Sequence, residues 1–188
     1  SLVLGEADIE VAKSLHHASQ NLGFLYVTGH GMDSHLINQL YQSGLAFFRA
    51  PDEQKQSVSV SKNHRGWLGS GQAKMDDNAL SDFKESYIWG AEDAHHFGDH
   101  SLRGSNRWPA FAPQLESLGN AYFNQAHQVA HHLMRGFALG LGLKEDFFLQ
   151  TTQRPLSRAS LVYYPNQEAT NPNQFGVGPH TDFGTLTL

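Results

Sequence analysis

The chain has no cysteine. Disulfide frameworks, cysteine-containing zinc sites, iron–sulfur clusters and cysteine nucleophiles are therefore excluded. The lack also fits a cytoplasmic protein. Basic charge is scarce: 13 Lys and Arg against 18 Asp and Glu leave a net charge of −5. Nucleic acid and anionic membrane both need a basic field, so neither is an expected partner. No apolar run approaches the roughly 18 residues that span a bilayer. The opening SLVLGEAD has no basic flank before an apolar stretch and does not read as a signal peptide; without Met, it is not expected to be the native start. There is no repeat of fixed period and no low-complexity tract.

What is present suits a soluble globular protein: 188 residues, 39% hydrophobic, 11% aromatic and 16% charged. A chain near this length buries roughly 70% of its unfolded surface, in one sizeable core or two small ones. Histidine, at 12 residues, is the unusual count and raises the question of metal chemistry.

Apolar spacing predicts a helix from Asp8 to Leu22, carried by Ile9, Ala12, Leu15, Ser19 and Leu22 and stopped by Gly23. The β-formers Phe24 to Val27 predict a strand that Gly29 and Gly31 close into a turn holding His30. Asp33 reads as an N-cap for a helix with Leu36, Ile37, Leu40, Tyr41, Gly44, Leu45 and Phe48 on one face. Pro51, Asp52 and Glu53 begin a further short helix, since Pro suits the first turn and acids its positive end. Residues 61–81 read as loops around a short GWLG segment. Residues 82–90 return to strand character, with Phe83, Glu85, Tyr87 and Trp89 on one face. Residues 91–109 are irregular. A long helix is expected from Gln114 to Leu143, frayed at Gly140 and Gly142. A strand through Leu161–Tyr164 ends at Pro165, and a last one begins near Val177.

That last strand would carry the chemistry. In HTDFGTLTL, His180 and Asp182 stand two apart, and strand residues i and i+2 point to one side. An imidazole and a carboxylate with open positions left over suit an oxidisable divalent iron and make two thirds of a 2-His-1-carboxylate facial triad. Taken bare, the pair means little. With this many His and Asp, chance alone gives about 0.6 His-x-Asp pairs. Other histidine groups read as structural or solvated. His95, His96 and His100 lie with Asp93 and Asp99 in one loop, which places ligands poorly. His127 and His131 have i, i+4 spacing, but Gln128 stands where a hydrolytic glutamate would be needed.

The context lifts the pair above chance. NLGFLYVTGHGM, FFRAPDEQK, DFKESYIWG, NRWP, the YYP at Tyr163–Pro165 and GVGPHTDFGTLTL occur in that order. Together they resemble the landmarks of the Fe(II)/2-oxoglutarate oxygenases of the isopenicillin N synthase-like family, over nearly the whole chain. Plant-type members often read Arg-x-Asn-x-Tyr-Pro before the loop; here Ser160 and Val162 replace the Arg and the Asn, and Tyr164 is retained.

The resemblance implies a mixed α/β fold. A helix-rich region, 1–113, would brace a double-stranded β-helix, or jelly roll, that begins in 114–188 with the spine helix and strands 159–164 and 177–188. It is expected to be incomplete in this chain. The resemblance implies Fe(II) held by His180 and Asp182, with 2-oxoglutarate as cosubstrate and O2 as oxidant. A third histidine and a 2-oxoglutarate-binding Arg are expected beyond Leu188. Tyr164 would contact the cosubstrate carboxylate. Tyr87 and Trp89 would line a substrate pocket, or else serve as core aromatics. The reaction would be hydroxylation or ring closure of a small molecule, with succinate and CO2 formed. Two alternatives stand beside it: an iron oxidase of the same fold that does not use 2-oxoglutarate, and a non-catalytic β-helix protein that binds a ligand or partner.

Overall fold

Seven elements form in the computed structural model, which describes residues 8–72, 82–92, 100–166, 176–177, 180–182 and 184–188. They are α1 (Ile9–Asn21), α2 (Ser34–Phe48), α3 (Asp52–Gln56), β1 (Gly66–Leu68), β2 (Glu85–Gly90), α4 (Gln114–Gly140) and β3 (Arg158–Tyr163). Among the described residues, no helix is long and apolar enough to cross a membrane.

The helix ends follow from local chemistry. Asp8 caps α1 by accepting a hydrogen bond from the Val11 N–H at 3.0 Å, which satisfies one of the free amides of the first turn. The far end of α4 closes in a Schellman turn. Gly142 takes φ +72°, its N–H donates to Leu139 O at 3.0 Å, and the Leu143 N–H donates to Ala138 O at 2.9 Å. A left-handed residue is needed there, and glycine adopts it without strain.

The residues cluster into two compact units. One comprises 1–34 with 124–155; the other comprises 35–123 with 156–187. This division cuts across the anticipated boundary at 113/114, because the first turns of α4 cluster with the second unit and the rest of the helix with the first. In the first unit α1 meets α4 closely. A Cβ on Gly140 would stand 2.6 Å from Ala12 O and 2.9 Å from His16 Cβ, so only glycine permits that approach.

The second unit holds the sheet, an antiparallel set in the order β1-β2-β3. Trp67 pairs with Tyr87, and Tyr87 with Leu161; beside that row, Leu68 pairs with Ser86 and Ser86 with Val162. One face carries Trp67, Tyr87, Trp89, Ala159, Leu161 and Tyr163 into a core shared with Leu40, Phe47, Phe48, Val58 and Leu115. Each large side chain buried there contributes about 1.5–3 kcal/mol. The block NRWP packs onto the same strand. The Trp108 ring lies 5.9 Å from that of Tyr87 and 6.3 Å from that of Trp89. The Asn106 amide accepts from Gly90 N at 3.0 Å and donates to Gly90 O at 2.8 Å.

Two predicted strands do not form. Residues 24–27 are irregular, although their exposure alternates as a strand's would, with Phe24 at 86% and Tyr26 at 103% exposure. The described residues between 177 and 188 form no strand either. β-formers make a strand only by pairing, and neither segment has a ladder partner among the described residues. β3, in contrast, begins three residues before the predicted Leu161. The register β2 offers extends to Gly90 opposite Arg158.

Candidate metal and cosubstrate site

β3 alternates strictly between exposed and half-buried positions. Ala159, Leu161 and Tyr163 face the core, and Arg158, Ser160 and Val162 face away from it. Tyr164, one residue past the strand, continues the exposed series at 52% exposure. The residue type was legible in the sequence; the face it occupies comes from the register. The backbone of Gly176 lies against its ring, so that a Cβ there would stand 2.8 Å from Tyr164 Cδ1 and 3.1 Å from Cε1. Sequence reading missed this contact, although the glycine opens the GVGPHTD block.

Four residues further on, His180 and Asp182 converge without the help of a strand. His180 Nε2 is 3.2 Å from Asp182 Oδ1. The other carboxylate oxygen, Oδ2, accepts a hydrogen bond from Thr187 Oγ1 at 2.9 Å. Thr187 was not singled out in the sequence; its only signal is a hydroxyl five residues after a ligand-type carboxylate.

The pair fits a metal ion. Two ligands in adjacent positions of an octahedral ion, each about 2.1 Å from it, stand about 3.0 Å apart. One imidazole nitrogen and one carboxylate oxygen at 3.2 Å match that spacing, and they are the donor types an oxidisable iron takes. Among the described residues no set of three His, Asp or Glu could hold a metal together, so the pair has no third protein ligand there.

The other candidates fall elsewhere. Tyr87 and Trp89, offered for a substrate pocket, are each 1% exposed in the core of the second unit. Their polar atoms are spent on backbone: Tyr87 OH donates to Arg107 O at 2.8 Å, and Trp89 Nε1 donates to Gly119 O at 3.0 Å. Burial pushes the Tyr87 hydroxyl far above its ordinary pKa, with the charge of Glu116 adding to the effect. They face the core because the register puts odd-numbered β2 residues on that side. The His127 and His131 rings meet at a tilt of 53°, with centroids 4.4 Å apart. Burial, and then the neighbouring His131, hold His127 below the usual imidazole pKa. His30 is a turn residue, its Nδ1 accepting from Met32 N at 3.1 Å. Of the loop group Asp93, His95, His96, Asp99 and His100, only His100 lies within the described residues, where its Nδ1 accepts from Leu102 N.

Residues 2–111 match the family model described as the N-terminal region of the non-haem dioxygenase in morphine synthesis. The chain belongs to the Fe(II)/2-oxoglutarate oxygenase family. Among relatives of this oxygenase chain, the 2-oxoglutarate-dependent dioxygenase thnC of Trichoderma harzianum is 32% identical over 95% of the chain and 56% of its own length. A full-length Neurospora crassa protein, solved in complex with alpha-KG, superimposes with a TM-score of 0.80 at 28% identity; the match covers 94% of this chain and 56% of that one. JOX2, solved in complex with 2OG, Fe and JA, gives a TM-score of 0.73 at 26% identity, over 95% of this chain and 51% of that one. The oxygenase chain thus spans just over half the length of the relatives it matches. Its mixed α/β fold, with a partial sheet, is the fold of these oxygenases.

Proposed function

We propose that this chain forms part of a non-haem Fe(II)- and 2-oxoglutarate-dependent oxygenase that hydroxylates or ring-closes a small molecule, with succinate and CO2 as coproducts. The observation that carries the reading is the approach of His180 Nε2 to Asp182 Oδ1 at 3.2 Å within the family's HTD block. These two atoms would hold the iron. Bound iron supplies the activation of O2 that no side chain can provide.

The chain's own residues set the conditions for that chemistry. The carboxylate of Asp182 is turned by Thr187, which engages Oδ2 and leaves Oδ1 beside the imidazole. An oriented ligand of this kind meets the metal without first losing rotational freedom. Tyr164 would donate its hydroxyl to the 2-oxoglutarate carboxylate from the side of the sheet that faces away from the aromatic core. Tyr87 and Trp89 would act from beneath, holding β2 and through it the register of β3. The substrate is a small organic molecule, a reading supported by JOX2, solved in complex with 2OG, Fe and JA. The net charge of −5 supports a non-nucleic-acid substrate, and the absence of cysteine supports a cytoplasmic location.

The test is turnover by the full-length protein with Fe(II), measured as succinate formed from 2-oxoglutarate, alongside iron content. His180→Ala and Asp182→Ala should each abolish both. Undiminished turnover in the two variants would overturn the assignment.

A further inference from the structure

The segment after α1 has the side-chain alternation of a strand and no strand beside it. Leu22, Phe24, Tyr26 and Thr28 are exposed, while Leu25 and Val27 between them are half-buried. Val27 lines a cavity with Val11 and Leu15 of α1 and Val129 and Leu133 of α4, all within the first unit. One side of the segment is thus seated on helices, and the other presents Phe24 at 86% and Tyr26 at 103% exposure. Residues 24–28 make no hydrogen bond among the described residues. We propose that this segment is an edge for strand addition, and that its occupant is a β-strand from the part of the full-length oxygenase that lies outside these residues.

The composition argues for permanent cover. Every residue from Phe24 to Thr28 carries one backbone donor and one acceptor, which water could serve. Water does not suit the side chains. Phe, Tyr, Val and Thr fit a pleated, half-buried surface, and large apolar side chains grouped in the open mark a contact site. A strand edge that stays open in a finished protein is normally guarded by charged residues, by Pro or by a bulge. From Leu22 to Gly29 there is neither a charged residue nor a Pro. An edge so unguarded is suited to constant pairing.

The occupant follows from where a strand can come from. The chain spans just over half the length of the relatives it matches, and a strand drawn from the remainder would dock within one molecule. A tethered strand acts at an effective concentration that a second copy in dilute solution does not reach. Main-chain bonds along 24–28 supply its affinity, and the alternating side chains set its register. Phe24 and Tyr26 then become one face of the enlarged sheet. This strand addition rests on the chain's being part of a larger oxygenase, but none of its tests involves iron or turnover, so either reading can fail alone.

Hydrogen exchange in the full-length protein, read by mass spectrometry, tests the pairing. The amides of 24–28 should exchange at least about 100-fold more slowly than in an unstructured peptide. Exchange at the peptide rate would overturn the proposal. Photocrosslinking identifies the occupant. Tyr26→p-benzoylphenylalanine should crosslink within one chain to a peptide outside residues 1–188. A crosslink to a second chain, or none outside those residues, would overturn it as well. Phe24→Lys and Tyr26→Lys should each speed exchange of the same amides by about tenfold or more, because a charge is then carried into the sheet. Side chains left in water would tolerate both changes, and unaltered exchange in the two variants counts against strand addition. If a thermal melt shows either variant unfolded, wild-type exchange and the crosslink decide alone.

Discussion

Lys55 and Glu85 join two separate blocks of the sequence: Lys55 Nζ lies 2.8 Å from Glu85 Oε2, in a position where the lysine is only 2% exposed. The same oxygen accepts from Trp67 Nε1 at 2.7 Å, and Nζ also reaches Phe48 O at 3.2 Å and Asp52 Oδ1 at 3.0 Å. FFRAPDEQK and DFKESYIWG thus occur together for a physical reason: each supplies half of one buried ion pair. Lys55→Met should cost about 3–5 kcal/mol in urea unfolding, because it strands the glutamate charge. Lys55→Met with Glu85→Leu should recover part of that loss. A single-variant loss below about 1 kcal/mol would show the pair to be solvated.

The pH dependence of this pair has a definite sign. Burial alone would lower the pKa of Lys55, but the hydrogen bonds it donates to Glu85 and Asp52, together with their charges, outweigh it and leave it raised. A raised pKa means a contribution that is full below the unfolded value of 10.5 and lost as pH rises through the folded value. Wild type should therefore lose stability in the alkaline range more steeply than the double variant, as read from melting temperature against pH.

Asn106 stands in for a missing strand neighbour. Its amide pairs with both backbone groups of Gly90 and also donates to Glu92 Oε2 at 2.8 Å. Asn106→Ala removes these bonds and leaves two part-buried backbone groups unmet, at a cost of about 2–3 kcal/mol. Asn106→Asp should be no better, since it lacks the donor and sets a second carboxylate beside Glu92. Chemical denaturation of both variants checks this, and a neutral Asn106→Asp would refute it.

What could be read from the sequence divides along local and non-local lines. The helix of residues 9–21 and the α4 start at Gln114 are decided by residues a few positions apart, and they formed where expected; Gly142, expected in a frayed end, instead closes an ordered turn. Phe24–Val27 and the GTLTL segment read as strands by residue type, yet strands depend on partners distant in sequence. Tyr87 and Trp89 share this ambiguity. Alternation shows that they share a face, and only the pairing with Trp67, Leu161 and Ala159 shows that this face is the core. His180 and Asp182 were found through the order of the blocks around them, and the Thr187 contact depends on a turn of the backbone that no motif encodes.

Thr187 offers a test that leaves the ligands themselves intact. Thr187→Val keeps the shape and removes the hydroxyl that holds Asp182 Oδ2. Loss of a ligand's orienting partner typically lowers metal affinity about 10–100-fold. The expected result is iron affinity reduced by about tenfold in full-length protein, with melting temperature unchanged, since Thr187 is exposed. Asp182→Glu should be worse, because the extra methylene moves the carboxylate away from both Thr187 and His180. Equal iron affinity in wild type and Thr187→Val would remove Thr187 from the site.

Tyr164 and Gly176 make a linked prediction about the cosubstrate. If the Tyr164 hydroxyl donates to the 2-oxoglutarate carboxylate, Tyr164→Phe removes one hydrogen bond to a charged group, worth about 1.5–3 kcal/mol. The KM for 2-oxoglutarate should then rise by about tenfold or more, with iron content and melting temperature unchanged. Gly176→Ala should act through the same ring, since the added Cβ would stand 2.8 Å from Cδ1 and must push it aside. The left-handed glycines of the chain do not include Gly176, so alanine there meets no backbone strain and the ring is its first obstacle. In a Tyr164→Ala background that obstacle is gone. Gly176→Ala should therefore raise KM in the wild type and change little in Tyr164→Ala, a non-additivity that a double-mutant cycle measures directly. Additive effects of the two substitutions would mean that Gly176 serves the fold of its own loop, and an unchanged KM in Tyr164→Phe would place the tyrosine outside cosubstrate binding.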